Sequence, residues 1–497
     1  MPSFVRPLLS VLTACCVALG LAGCIRTPQP LPTGSTRTTA PARPFTVLTA
    51  QRATSTDPAG VRNDTDAMVA LDLFQRLMLV QPSTRLLKPD LAKECLFTAE
   101  QVFECTLAKD LTFSSGHALT SSDVKFSIMR ALRLAPQQMS LLGALRSIET
   151  PDPWTVRFRL KYPDNQFGFG LAVPASSIVD EEAYEADELR PVGRMPMGSG
   201  PYQLEAWDNQ GLTITKFPRY RGPLGTDMNR IRISWASSAE AEEALVDGAA
   251  EIVWRTLSPA AIDRLEGRIR QAQEDGEQAG FFRWGLPRVT LQRLVWLPRS
   301  EHRANATLRR AVSLALQDDR TASSILPGMI EGHTDAFDRG GEPTLPTLSR
   351  GIALTMRFTN TSPAMEDLAH RVRDQLEQRL GIAVQLVTES ESADLELRDS
   401  APLVNTALGW LQDYLKNPLP GSAGKLAELE ERIRSSSRAE VQLPVLSEIQ
   451  KQAAVDATVV PIAEVDGVLF LRNRVDLVGE ALGPGWQLAL WGARWRY

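Results

Sequence analysis

The chain has 497 residues, 43% of them hydrophobic, and a formal net charge of −5. That length accommodates two or three domains, and so mild an acidic balance lacks the basic patch or stripe of a nucleic-acid footprint. Beyond the N-terminal segment no stretch reads as a membrane span, which needs about 20 apolar residues.

The N-terminus sets the compartment. Met1 to Arg6 carries one positive charge, Pro7 to Gly23 is apolar and uncharged, and the small residues Ala22 and Gly23 precede Cys24. This order is that of a secretory signal, residues 1–23. Leu21-Ala22-Gly23-Cys24 resembles the bacterial lipobox, which implies that Cys24 is the lipid anchor; after ordinary secretory cleavage Cys24 would be incidental. The expected location is the outer face of the cytoplasmic membrane, the periplasmic side where an outer membrane exists. Ile25 to Pro44 holds five prolines and five threonines and no aromatic residue, so residues 24–44 read as a disordered tether.

Folded structure begins with a strand at Phe45. Cys95 and Cys105 flank Leu96 to Glu104, two short apolar patches around a turn-like centre. A symmetric hairpin sets these cysteines opposite one another, within disulfide range, and export supplies an oxidising compartment; two buried thiols are the alternative. Trp154, Val156, Phe158 and Leu160 alternate with polar residues as in a half-buried strand, and Leu212 to Phe217 is another. Ser238 to Val246 reads as a helix closed by Gly248, with a strand at Glu251 to Arg255. Ser258 caps a further helix that carries Pro259 in its first turn.

The second half repeats this grammar. Asn305 caps a helix along Leu308, Ala311, Val312, Ala315 and Leu316. Leu354 to Phe358, a helix opened by Ser362 and Pro363 and stopped by Gly381, and Ile382 to Val387 form one βαβ unit with parallel strands. Two α/β halves, joined by a short connection near Phe281 to Val295, imply two lobes with a cleft between them.

Four segments in order resemble the peptide-binding class (family 5) of extracytoplasmic solute-binding proteins of ABC transport. They are Leu111 to Leu132, Gly198 to Trp207 with Tyr220-Arg221-Gly222 beyond, Leu308 to Arg320, and Leu408 to Tyr414. The resemblance implies an α/β, two-lobed periplasmic-binding-protein-like fold with an extra subdomain at about 73–191. The large lobe would span 45–283 and 461–497, and the second lobe 284–460. It also implies a monomer that binds a peptide or other small ligand and hands it to an ABC permease, without catalysis or cofactor. Trp410 and Asp413 match the family's Trp-x-x-Asp. Asp413 would pair with a ligand ammonium beside Trp410 and Tyr414; the structural alternative makes Trp410 core and Asp413 a turn cap. Lys416 stands near enough in sequence to compete for Asp413. The segment from Gly332 to Gly351 is shorter than the family's usual insertion, which would reshape the pocket.

Enzyme and metal readings are weak. Ser122 and Lys125 satisfy Ser-x-x-Lys without its companion Lys-Thr-Gly. His117, His302, His333 and His370 lack metal-ligand spacing. A ligand-sensing or sequestering lipoprotein of the same fold, uncoupled from transport, is the alternative function.

Overall fold

The computed structural model describes residues 43–496 except 82–83, 359–362, 389–391 and 479–480, and, for side chains, 287–289 and 363. The expected leader, the lipid-anchor residue Cys24, the tether up to residue 42 and the cap Ser362 lie outside the described residues.

Ten strands form one mixed sheet. From one edge they run Ala383–Val387, Ala353–Phe358, Leu395–Ser400, Phe281–Trp296, Val459–Arg472, Ile252–Trp254, Phe45–Thr49, Arg230–Trp235, Gly211–Lys216 and Tyr202–Asp208. The expected short connection near Phe281 to Val295 is instead one 16-residue strand. Its first part, Phe281 to Leu286, pairs antiparallel with Gly467 to Arg472, and its last part, Thr290 to Val295, pairs with Val459 to Val465. The register shifts between Leu286 and Thr290, an irregularity that bends a ladder. The two lobes therefore share a sheet and part where its central ladder breaks.

Local sequence accounts for the layers. Asn305 Oδ1 accepts the Leu308 N–H at 3.1 Å and opens the helix Ala306–Ala315. Ser258 caps Pro259–Glu274. Ser238–Val246 forms as expected, with Ser237 and Glu240 closing a reciprocal capping box. Ala353–Phe358 and Ala383–Val387 pair in parallel, joined by the helix Pro363–Leu380, and Gly381 ends that helix at φ +64°. The second-lobe sheet is covered on both faces. Leu294, Trp296, Leu395 and Leu397 pack on one side, and Leu291, Val295, Trp410 and Leu411 on the other. Residues 317–352 carry no helix or strand.

A separate four-stranded sheet orders Ala92–Ala99, Val102–Leu107, Thr155–Leu160 and Leu145–Asp152. With the helix Ser121–Leu134 it encloses its own core around Phe103, Phe113, Val124, Phe158 and Phe167. Thr120 and Asp123 cap that helix reciprocally, and the exposed Ser122 donates to Glu181 at 3.0 Å. Cys95 faces Cys105 directly in the hairpin, and their sulfurs are bonded. Thiol labelling of the denatured, unreduced protein from Phe45 onward is expected to find no free thiol. Replacing both cysteines by Ser should cost about 2–3 kcal/mol in denaturant unfolding.

Candidate functional site

Parallel strands of an open sheet end in a crevice where loops diverge and ligands gather. Three such ends meet here. Thr49 to Gln51 close and follow Phe45–Thr49, Arg255 to Leu257 follow Ile252–Trp254, and Asp399 with Ala401 to Leu403 close and follow Leu395–Ser400. Together with Arg62 to Thr65, Thr290, Gln292 and Val465 to Val468 they line a cleft cavity of about 530 Å³. The last two groups belong to the strands that cross between the lobes, so the cavity sits at the break in the ladder.

The polar groups in the cleft are unevenly satisfied. Arg255 holds a left-handed backbone at φ +52°, lies 4.7 Å from the Trp254 ring centroid, and pairs through Nη1 with Asp64. Its Nη2 is shielded from solvent and has no hydrogen-bond partner among the described residues. Asp399 accepts a hydrogen bond from the Thr290 hydroxyl. Asp399 is exposed at the cleft surface, between the walls of the cavity. The loss of bulk water pushes its carboxyl above the usual range, with Asp64 adding to the rise and Arg255 and Arg293 opposing it.

Trp410, Asp413 and Tyr414 lie elsewhere. They belong to the helix Ala407–Leu415, capped by Thr406, and none of the three is among the residues lining the cavity. Trp410 is buried, and its Nε1 donates to Asn405 Oδ1 at 2.9 Å. The buried Tyr414 hydroxyl donates to Asp456 at 2.6 Å. Asp413 bridges two arginines, 3.3 Å from Arg293 Nη1 and 3.3 Å from Arg398 Nη1. Those arginines stand directly opposite one another on adjacent strands, a like-charge pairing that is unfavourable without a counter-ion. Lys416 reaches the Gln137 carbonyl at 3.5 Å, and Asp413 is among the charges bearing on it.

The pleat explains the division. Residues two apart on a strand share a face. Asp399 continues the face of Leu395 and Leu397, and its partner Gln292 that of Leu294; Arg398, Arg293 and the helix holding Asp413 occupy the other face. Asp399, Thr290 and Arg255 escaped sequence reading. The available signal was an apolar alternation, Leu395 and Leu397, that ends in a carboxylate at the strand's carboxyl end.

A family model described as bacterial extracellular solute-binding proteins, family 5 Middle, matches residues 87–343. Among curated proteins, the HTH-type transcriptional regulator SgrR of Pectobacterium atrosepticum is 25% identical over 338 residues, 67% of this chain and 55% of that protein. The chain spans about half the length, or less, of the first curated relatives it matches. Among solved structures, the periplasmic binding protein DppA of Helicobacter pylori in complex with the peptide STSA superposes with a TM-score of 0.76 at 16% identity, covering 91% of this chain and 98% of that one. The binding protein AgaA of A. tumefaciens R10, in complex with agropinic acid, gives 0.75 at 18%, covering 91% and 98%.

Replacing Asp413 by Asn should leave two facing arginines without their shared anion. Stability in chemical denaturation is expected to fall by about 1–3 kcal/mol, and an unchanged midpoint would contradict this structural role.

Proposed function

The chain belongs to family 5 of the bacterial extracellular solute-binding proteins, and from that premise we propose that it captures a peptide outside the cytoplasm and delivers it to an ABC import permease. The observation that carries the reading is the cleft of about 530 Å³ at the break between two lobes of one sheet. A ligand held by both walls favours the arrangement in which both contact it. Binding and release need no bond to be made or broken, so the reading assigns no catalytic residue. Trp410, Asp413 and Tyr414 enter it as the support behind the second wall, because their helix follows directly on Asp399 to Leu403.

A second reading is favoured by the likeness to SgrR, a protein named as a transcriptional regulator. In that reading the chain senses or sequesters its ligand without feeding a permease. Native mass spectrometry of the protein purified from its own host separates peptide from other ligands. A co-purifying peptide mass is expected; a reproducible non-peptide mass would overturn the peptide assignment.

Attachment through Cys24 completes the proposal, with the folded part held near the outer face of the cytoplasmic membrane by the tether. Two acyl chains suffice for stable anchoring where one does not. Cys24→Ala should move the protein from the membrane fraction to the soluble exported fraction, and retention in the membrane would contradict the anchor.

A further inference from the structure

Asp399 is a charged group that the fold itself leaves incomplete. The other carboxylates nearby have arginine partners: Asp64 pairs with Arg255, Asp413 with Arg293 and Arg398, and Glu396 with Arg357 at 3.3 Å and with Arg398. Among the described residues Asp399 forms no ion pair: Arg255 is the foremost charge attracting it, and the Thr290 hydroxyl donates to it. Across the cleft, Arg255 offers an unused Nη2. Among the described residues, a carboxylate held in no ion pair and a guanidinium N–H without an acceptor thus border the same cavity.

We propose that Asp399, oriented by Thr290, is the specificity-determining residue for a cationic nitrogen of the ligand, ammonium or guanidinium, while Arg255 Nη2 donates to an oxygen beside it. The proposal rests on the reading of the cleft as the ligand site, and it assigns the cation to Asp399 instead of Asp413. Two sources supply that chemistry in a peptide: its α-ammonium and a basic side chain. A charge-assisted hydrogen bond in an enclosed cleft discriminates strongly between a cation and its neutral analogue.

The empty protein supplies an independent readout. A carboxyl raised above its unfolded value binds its proton more tightly in the native state, so ionising it lowers stability. That penalty is absent below the unfolded value near pH 4 and is fully present above the folded one. The charged groups bearing on Asp399 are Asp64, which adds to the penalty, and Arg255 and Arg293, which reduce it. Asp399→Asn should therefore melt higher than the native chain at neutral pH, with the difference shrinking as the pH falls. A structural Asp399 would give the reverse.

The test uses the full exported chain, native and Asp399→Asn, with Asp399→Ser as a second charge-removing variant. Three peptides are titrated calorimetrically: Ala-Ala-Ala, acetyl-Ala-Lys-Ala and acetyl-Ala-Ala-Ala. The native protein should prefer one or both of the first two over the third, and removing the charge should erase that preference, weakening the preferred peptide on the order of 30-fold. Preference for the first identifies the α-ammonium as the source, and preference for the second the side chain. Equal affinity for all three overturns the proposal, as does a preference that survives in the variants. If none binds, the peptide reading fails, and the melting curves decide. A higher melting temperature in either variant at neutral pH then supports the unpaired carboxylate, and a lower or unchanged one in both overturns it.

Discussion

The backbone pairing of Phe281–Trp296 with Val459–Arg472 is the constraint on which the molecule depends. These strands alone pass through both halves of the ten-stranded sheet, and every other strand reaches the opposite lobe through them. Each end is fixed in a core: Leu294, Trp296 and Val460 in the second lobe, Leu469 and Leu471 in the first. Packed ends move as units because close-packed interiors resist deformation. Compliance is left to the middle, where the register shifts and where Thr290 and Val465 to Val468 also line the cavity. On the proposed reading of the cleft, ligand contact and hinge geometry share residues.

A second set of contacts joins the lobes away from the hinge. Asp164 of the subdomain pairs with Arg434 at 3.1 Å, and the neighbouring Asn165 serves the carboxyl end of the helix Ala423–Arg434. Its backbone N–H donates to the Arg434 carbonyl at 2.9 Å, and its Nδ2 donates to the carbonyls of Ile433 at 2.9 Å and Ser436 at 2.7 Å. The last carbonyls of a helix need partners from outside it, and here another part of the chain provides them. The attraction in a buried ion pair roughly offsets its desolvation. This contact accordingly fixes where the lobes meet more than how tightly. Glu430, one turn back on the same helix, holds Arg434 at 2.7 Å and keeps the guanidinium oriented.

Much of this fold was legible because its signals are local. The caps at Asn305 and Ser258, the stop at Gly381 and the opposed cysteines each depend on residues within a few positions of one another. The candidate site was less legible because its geometry is not local. Trp410 and Asp413 match a motif, but Asp413 answers to Arg293, which lies 120 positions away and becomes its neighbour only through strand pairing with Arg398. No periodicity reports such a contact. The short connection expected near Phe281 to Val295 differs for a related reason: the sixteen residues from Phe281 to Trp296 form a strand because Val459–Arg472 lies alongside them, and that partner is remote in sequence.

One step of the pleat separates a charge that the fold consumes from one that it leaves over. Arg398 points to the helix layer and pairs there with Asp413; Asp399, the next residue, points to the cleft and forms no ion pair among the described residues. Two facing arginines among three carboxylates, Glu396, Asp399 and Asp413, would allow several pairings, but alternation along the strand sends Asp399 to the other side of the sheet. On the proposed assignment, the native state carries at the cleft an anion that no described residue pairs with, and a ligand cation offsets the cost of ionising it. A ligand that relieves it in the enclosed cleft, and relieves less of it when the walls part, has differential affinity for the two arrangements, and only such a difference shifts a conformational equilibrium. On the proposed assignment, that carboxylate lets ligand charge, and not contact area alone, govern closure.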